Sequence, residues 1–165
     1  MKKNLLIILF MGIVILFSGC SIFEPEPEMD IVDTAIQNGN FTTLVSALTE
    51  ADLVETLRGP GPFTVFAPTD DAFGKIDPAV LADLVADKPN LTKVLTFHVV
   101  SGKYLAADVI GMEKLTSLEG SDLVIDVSGS AVKIDVAEIV ITDIECSNGV
   151  IHVIDTVMIP PTVMF

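Results

Sequence analysis

Two histidines, two cysteines and 23 acidic side chains are the groups of this chain that could do chemistry. His98 and His152, with no second thiol available beside Cys146, form no cluster at zinc-type spacing. The sequence has neither a Gly-x-Ser-x-Gly nucleophile elbow nor a phosphate-cradling glycine loop. Its acidic residues miss the Asp-x-Asp-x-Asn-Gly spacing of a calcium loop, so they read as a solvated face. His152 and Asp155 stand three apart, which on a strand puts their side chains on opposite faces and leaves no local dyad. No catalytic residue, metal or cofactor is therefore expected, and the chain does not read as an enzyme. Asn40-Phe41-Thr42 and Asn90-Leu91-Thr92 both fit the acceptor pattern for N-glycosylation, although Asn40 and Asn90 would equally serve as helix caps.

The remaining reactive group is Cys20. Lys2 and Lys3, the apolar run 5–17 and the small pair Ser18-Gly19 precede it, which is the charged, apolar and cleavage-site order of an export signal. As a helix the run reaches about 20 Å, short of the roughly 30 Å of hydrocarbon that a spanning segment crosses. Residues 1–19 are thus expected to be removed. Phe17-Ser18-Gly19-Cys20 resembles the lipobox of prokaryotic lipoproteins, with Phe17 where Leu is usual, and the resemblance implies a diacylglycerol on the Cys20 thiol. Residues 20–29 follow as the lipidated cysteine and a tether. In Ser21-Ile22-Phe23-Glu24-Pro25-Glu26-Pro27-Glu28, alternating Pro and like-charged Glu favour an extended segment of roughly 25 Å. With Cys20 committed to lipid, Cys146 has no partner within the chain and reads as a small buried hydrophobe in an apolar strand.

Nine basic residues against the 23 acidic ones give a net charge of −14, which becomes about −16 once Lys2 and Lys3 leave with the signal. Such a surface repels nucleic acid and anionic headgroups. Residues 30–160 suffice for one domain with its own core, leaving 161–165 as a tail. Asp30 caps a first helix with the apolar face Ile31, Val32, Ala35 and Ile36, and Gly39 ends it. Asn40 is placed to cap a second, in which Phe41, Leu44, Val45 and Leu48 share one stripe. Two prolines and two glycines in 59–62 forbid helix, and Phe63-Thr64-Val65-Phe66-Ala67 reads as a buried strand. Residues 69–73 make a short helix, and Asp77-Pro78 starts another with the stripe Val80, Leu81, Leu84 and Val85. Leu91, Val94, Leu95 and His98 form a further stripe, so His98 points inward and reads as a buried imidazole bonded to backbone. Beyond Leu115 the period becomes two. Leu123, Ile125 and Val127, then Val132, Ile134 and Val136, predict a hairpin turning at Ser128-Gly129-Ser130. Residues 139–146 and 150–154 predict a second, turning at Asn148-Gly149, a dipeptide favoured in tight primed turns. Helices then sheet make the class α+β.

Gly61-Pro62-Phe63-Thr64-Val65-Phe66-Ala67-Pro68-Thr69-Asp70-Asp71-Ala72-Phe73 resembles the first signature block of fasciclin-like domains. Phe97-His98-Val99-Val100 resembles the family's central Tyr-His segment, and Asn148-Gly149-Val150-Ile151-His152-Val153-Ile154-Asp155 its closing motif. The resemblance implies a wedge-shaped β-sandwich with helices packed along one side, and a role in adhesion or extracellular protein binding. It makes Phe97, His98 and Tyr104 the candidate partner-binding residues, with Phe97 lacking the hydroxyl of the family's tyrosine. The chain is accordingly expected to be exported and lipid-anchored, on the outer face of the cytoplasmic membrane or in the periplasm or outer membrane. There it would contact a cell-surface protein or matrix component. An alternative, suggested by the 50% hydrophobic content, is a lipoprotein that binds a small apolar ligand near the membrane.

Overall fold

The computed structural model of the protein describes residues 29–163. The signal at 1–19, Cys20, the tether before Met29 and the last two residues of the tail lie outside the described residues.

Helices dominate the first half: α1 (Ile31–Asn38), α2 (Thr42–Glu50), α3 (Val54–Leu57), then β1 (Phe63–Pro68), α4 (Asp70–Gly74), α5 (Pro78–Ala86) and α6 (Lys88–Phe97). The second half carries β2 (Val99–Ser101), α7 (Ala106–Ile110), β3 (Lys114–Thr116), β4 (Asp122–Ser128), β5 (Ala131–Ile134), β6 (Ala137–Cys146) and β7 (Gly149–Ile154). Several boundaries follow from local chemistry. Asp30 accepts from the Asp33 amide, Gly39 closes α1 at φ 76°, Thr69 caps α4, and Asp77 caps α5 with Pro78 in its first turn.

The seven strands form one sheet in the order β2-β1-β7-β6-β5-β4-β3. Its two edges meet, because Val100 bridges Ser117 and the Leu118 amide donates to the Val99 carbonyl at 2.7 Å. The two faces of the wedge are thus halves of a single curled sheet. Strands β1 and β7, next to the β2 edge, run parallel from Phe63 beside Gly149 to Pro68 beside Ile154. Buried on both faces, they read as continuous apolar runs. Val65, Ala67, Ile151 and Val153 face the helices and join Leu44, Leu48, Leu91 and Leu95 in one core. Phe66 and Ile154 face the inside of the curl, with Phe97, Leu123, Ile134 and Met158. The fold is the expected α+β wedge with helices along one side.

Some details depart from the sequence reading. Ile36 is 53% exposed, because α1 buries only Ile31, Val32 and Ala35. In the first hairpin the alternation fails at its ends, leaving Val127 at 42% and Val136 at 65% exposure. Asn40 does not cap α2, since its side chain turns to Asn38. Finally, Cys146 pairs with Gly149, so Ser147 and Asn148 form the β6–β7 turn, and neither has the positive φ of a type I′ turn. Gly149 is needed for another reason. A Cβ there would lie 2.0 Å from the Phe63 carbonyl oxygen, and one on Gly61 would lie 2.0 Å from that of Asn148. The strands β1 and β7 start side by side only because both positions lack a side chain.

Candidate functional site

His98 sits at the C-cap of α6, where the helix passes directly into β2. Its Nδ1 lies 2.7 Å from the Val94 carbonyl and its Nε2 accepts the Met158 amide at 3.0 Å. These partners put the ring proton on Nδ1, where it donates to Val94, and leave Nε2 as an acceptor. The backbone of the same residue takes the Phe66 amide at 2.8 Å. One residue therefore joins α6, β1 and the C-terminal segment. Burial strips water from the ring and pushes its pKa down to about 4, against a smaller upward pull from the Val94 bond. At neutral pH it is uncharged.

His152 is fully buried on the inner face of β7, stacked on Phe66 with ring centroids 5.6 Å apart. Its Nε2 lies 2.8 Å from the Tyr104 carbonyl, and its Nδ1 takes the Asp143 amide at 3.4 Å. Asp155 has separate duties: it receives the Glu138 amide and pairs with Lys75 at 3.1 Å. The two histidines are structural posts with their own partners. Among the described residues, no group of three or more His, Cys, Asp or Glu is placed to hold a metal ion.

The candidate partner-binding residues divide. Phe97 and His98 are each 2% exposed, so neither touches anything outside the domain as it stands; the apolar stripe that points His98 inward prevails. Tyr104 is half-buried, and its ring packs over Gly102, where a Cβ would meet it at 2.8 Å. The sequon asparagines are not caps. Asn40 is exposed beside Asn38, and Asn90 lies in the first turn of α6, bonded to Asp87, which is the residue that caps that helix. Cys146 is 5% exposed, close to Thr34, and burial pushes its thiol pKa up.

Three residues organise this region through contacts to distant segments that no local signal in the sequence announces. The Asp70 carboxylate reaches across to α2 and accepts the Thr42 and Thr43 amides at 3.2 and 2.7 Å. Burial would raise its pKa, but those amide bonds outweigh it and hold the carboxyl below its ordinary value. Asp143, in a left-handed conformation at φ 58° within the irregular middle of β6, accepts the Ala106 amide at the start of α7. Asn148 is the third. Its Oδ1 takes the Ile31 amide, its Nδ2 donates to the Leu57 and Gly59 carbonyls, and its own carbonyl receives Phe63. Beside it, the Ser147 amide donates to Met29 at 2.9 Å.

The stretches quoted for their resemblance assemble as neighbours. Pairing of β2 with β1 and of β1 with β7 brings Phe63, Val99 and Gly149 onto three adjacent strands. The family model described as Fasciclin domain matches residues 39–160. The chain belongs to the fasciclin domain family. It is 46% identical over 130 residues to the uncharacterized protein sll1735 of Synechocystis sp., covering 79% of this chain and 97% of that one. It is 33% identical over 136 residues to the cell surface glycolipoprotein MPB83 of Mycobacterium bovis, covering 79% of this chain and 60% of the relative. Among solved structures, the FAS1 domain pair from the insect cell adhesion molecule Fasciclin I superposes with a TM-score of 0.72 at 18% identity, over 81% of this chain and 52% of that one. That likeness is one of fold.

Two surfaces of this fasciclin domain are open to other molecules. Val124, Val136, Val140 and Ile141 are 53 to 65% exposed on or beside β4, β5 and β6. The pairings Ile141 with Val153 and Ile134 with Ala137 put them in the half of the sheet near Pro68 and Ile154, remote from Met29. The second is an apolar cavity of about 210 Å³ among α2, α5 and α6. No helix among the described residues is long and apolar enough to cross a membrane.

Proposed function

We propose that this protein is a membrane-anchored, extracytoplasmic protein-binding module that serves cell adhesion or contact with envelope or matrix. One observation carries the reading: Val124, Val136, Val140 and Ile141, the most exposed aliphatic group on the sheet, lie at the end of the domain opposite the point where the chain enters. Entry is at Met29, bonded to the β6–β7 turn, and the parallel strands carry the fold roughly 17 Å away from it. An anchor at Cys20 with its Pro/Glu tether would hold the entry end toward the bilayer and present Val124, Val136 and Val140 outward. Apolar side chains grouped on a protein surface mark contact sites more often than chance. Similarity to a cell surface glycolipoprotein, and in fold to a cell adhesion molecule, favours the same placement.

The two histidines, each held by backbone partners on both ring nitrogens, ask for no catalytic role. Sequons at Asn40, which is exposed, and Asn90 are accessible to modification in an exported chain. The anchor is tested by phase partition: the wild-type chain enters detergent and the Cys20→Ser chain stays aqueous, and a wild-type chain found in the aqueous phase overturns it. Adhesion is tested with Val136→Lys/Val140→Lys in the native cell. Surface attachment should fall while the melting temperature holds, and attachment equal to wild type, or unchanged in a deletion strain, removes the adhesive reading.

A further inference from the structure

An apolar cavity lies among α2, α5 and α6. In the sequence, Val80, Leu81, Leu84 and Val85 form one apolar stripe of α5, yet only Leu84 is buried, and Val85 is 43% exposed. Leu81, Leu84 and Val85 instead form one wall of the cavity, facing Leu44 and Ala47 of α2 and Leu91 of α6. Leu84 and Leu81 also pack against the helical core, so the cavity leaves uncovered only one side of the stripe, with Val85 at its edge. The volume, about 210 Å³, exceeds the roughly 150 Å³ of apolar cavities that take up benzene.

The lining also disfavours a negatively charged occupant. Glu50, exposed at the end of α2, is the one charged side chain among the described residues around it, with the hydroxyls of Thr43 and Ser46 nearby. His98 reaches the inner wall, but both ring nitrogens are committed to Val94 and Met158, so it offers no cation. A chain of net charge −14 further disfavours an anionic guest. We infer that the cavity binds a single aliphatic chain ending in an uncharged hydroxyl, an alkanol, with the chain against Leu84 and Leu91 and the hydroxyl donating to Glu50 at the rim. A fatty acid of the same length would set a carboxylate against Glu50.

The test uses the full chain in phospholipid nanodiscs, with equilibrium uptake of radiolabelled 1-decanol and of decanoate measured above protein-free discs. Wild type should take up one decanol per chain, and Ala47→Met, which fills the cavity from α2, should take up none while melting as a folded domain. Should that variant fail to fold, saturation of the wild type at one per chain over protein-free discs decides the matter alone. Decanoate should bind about fivefold more weakly than decanol, the scale of one exposed charge pair, and Glu50→Gln should close that gap. Decanol uptake no greater than in protein-free discs, or undiminished in folded Ala47→Met, overturns the site. Equal affinity for both ligands in the wild type overturns the assignment of the head group.

Discussion

Lowering the pH from about 7.5 to about 5 should cost this fold about 2 kcal/mol through His98 alone. The imidazole is buried, donates from Nδ1 and accepts at Nε2, so a second proton would meet the Met158 N–H with no acceptor to offer. Its pKa is about 4 in the fold against an ordinary value of 6.5. As pH falls through 6.5 the unfolded chain takes up a proton that the folded chain refuses. The contribution is therefore complete above 6.5 and is lost on the way down to about 4. At about 1.4 kcal/mol for each pH unit the full loss is about 3.5 kcal/mol, of which about 2 has gone by pH 5. Against a typical stability of about 5 to 15 kcal/mol this is large enough to measure. The assay is urea unfolding of wild type and His98→Gln at both pH values. Gln retains an acceptor near Met158 and cannot titrate, so the variant starts about 2 kcal/mol less stable from its lost bond and packing but lacks the His98 part of the acid loss. All other titratable groups are the same in both proteins and cancel in the difference. An acid-induced loss of equal size in the two proteins would refute the reasoning.

Other consequences are as direct. Gly149→Ala should cost at least about 3 kcal/mol, or prevent folding, because its Cβ meets backbone rather than a flexible side chain; thermal melts decide it. Asp70→Ala should cost about 1 to 2 kcal/mol by uncapping α2, and hydrogen exchange at Thr42 and Thr43 should quicken before that of β7 does. Asn148→Asp should cost about 3 kcal/mol, since the carboxylate cannot donate to the Leu57 and Gly59 carbonyls, and a cold melt equal to wild type would contradict that. Alkylation of Cys146 in the native chain should be slow and should accelerate with urea, as its thiol is buried and its pKa raised.

The sequence is informative wherever a signal is local. Asp30, Gly39, Thr69 and Asp77 mark helix ends through contacts within a few residues, and the runs at 63–67 and 150–154 announce buried strands by composition. Inward placement of His98 follows from helical spacing alone. What stays hidden are the contacts between distant segments. Asp70 sits in an ordinary first turn and gives no sign that its carboxylate serves a helix 28 residues earlier. Asn148 looks like half of a turn dipeptide, while its side chain ties three elements that lie up to 117 residues away. The stripe on α5 misleads for the converse reason: periodicity says which face is apolar but not whether a neighbour covers it.

The bond from Ser147 to Met29, together with the grip of Asn148 on Ile31, also settles how the domain bears a pull. Force arriving along the chain before Met29 does not begin by unwinding α1. It passes at once into the β6–β7 turn, and through the Asn148 carbonyl into the first residue of β1. From there it is shared along the six-residue parallel pairing of β1 with β7, the most deeply buried part of the sheet. A weld at the entry point makes the parallel strands the member under tension, and the helices become cladding that the load leaves aside.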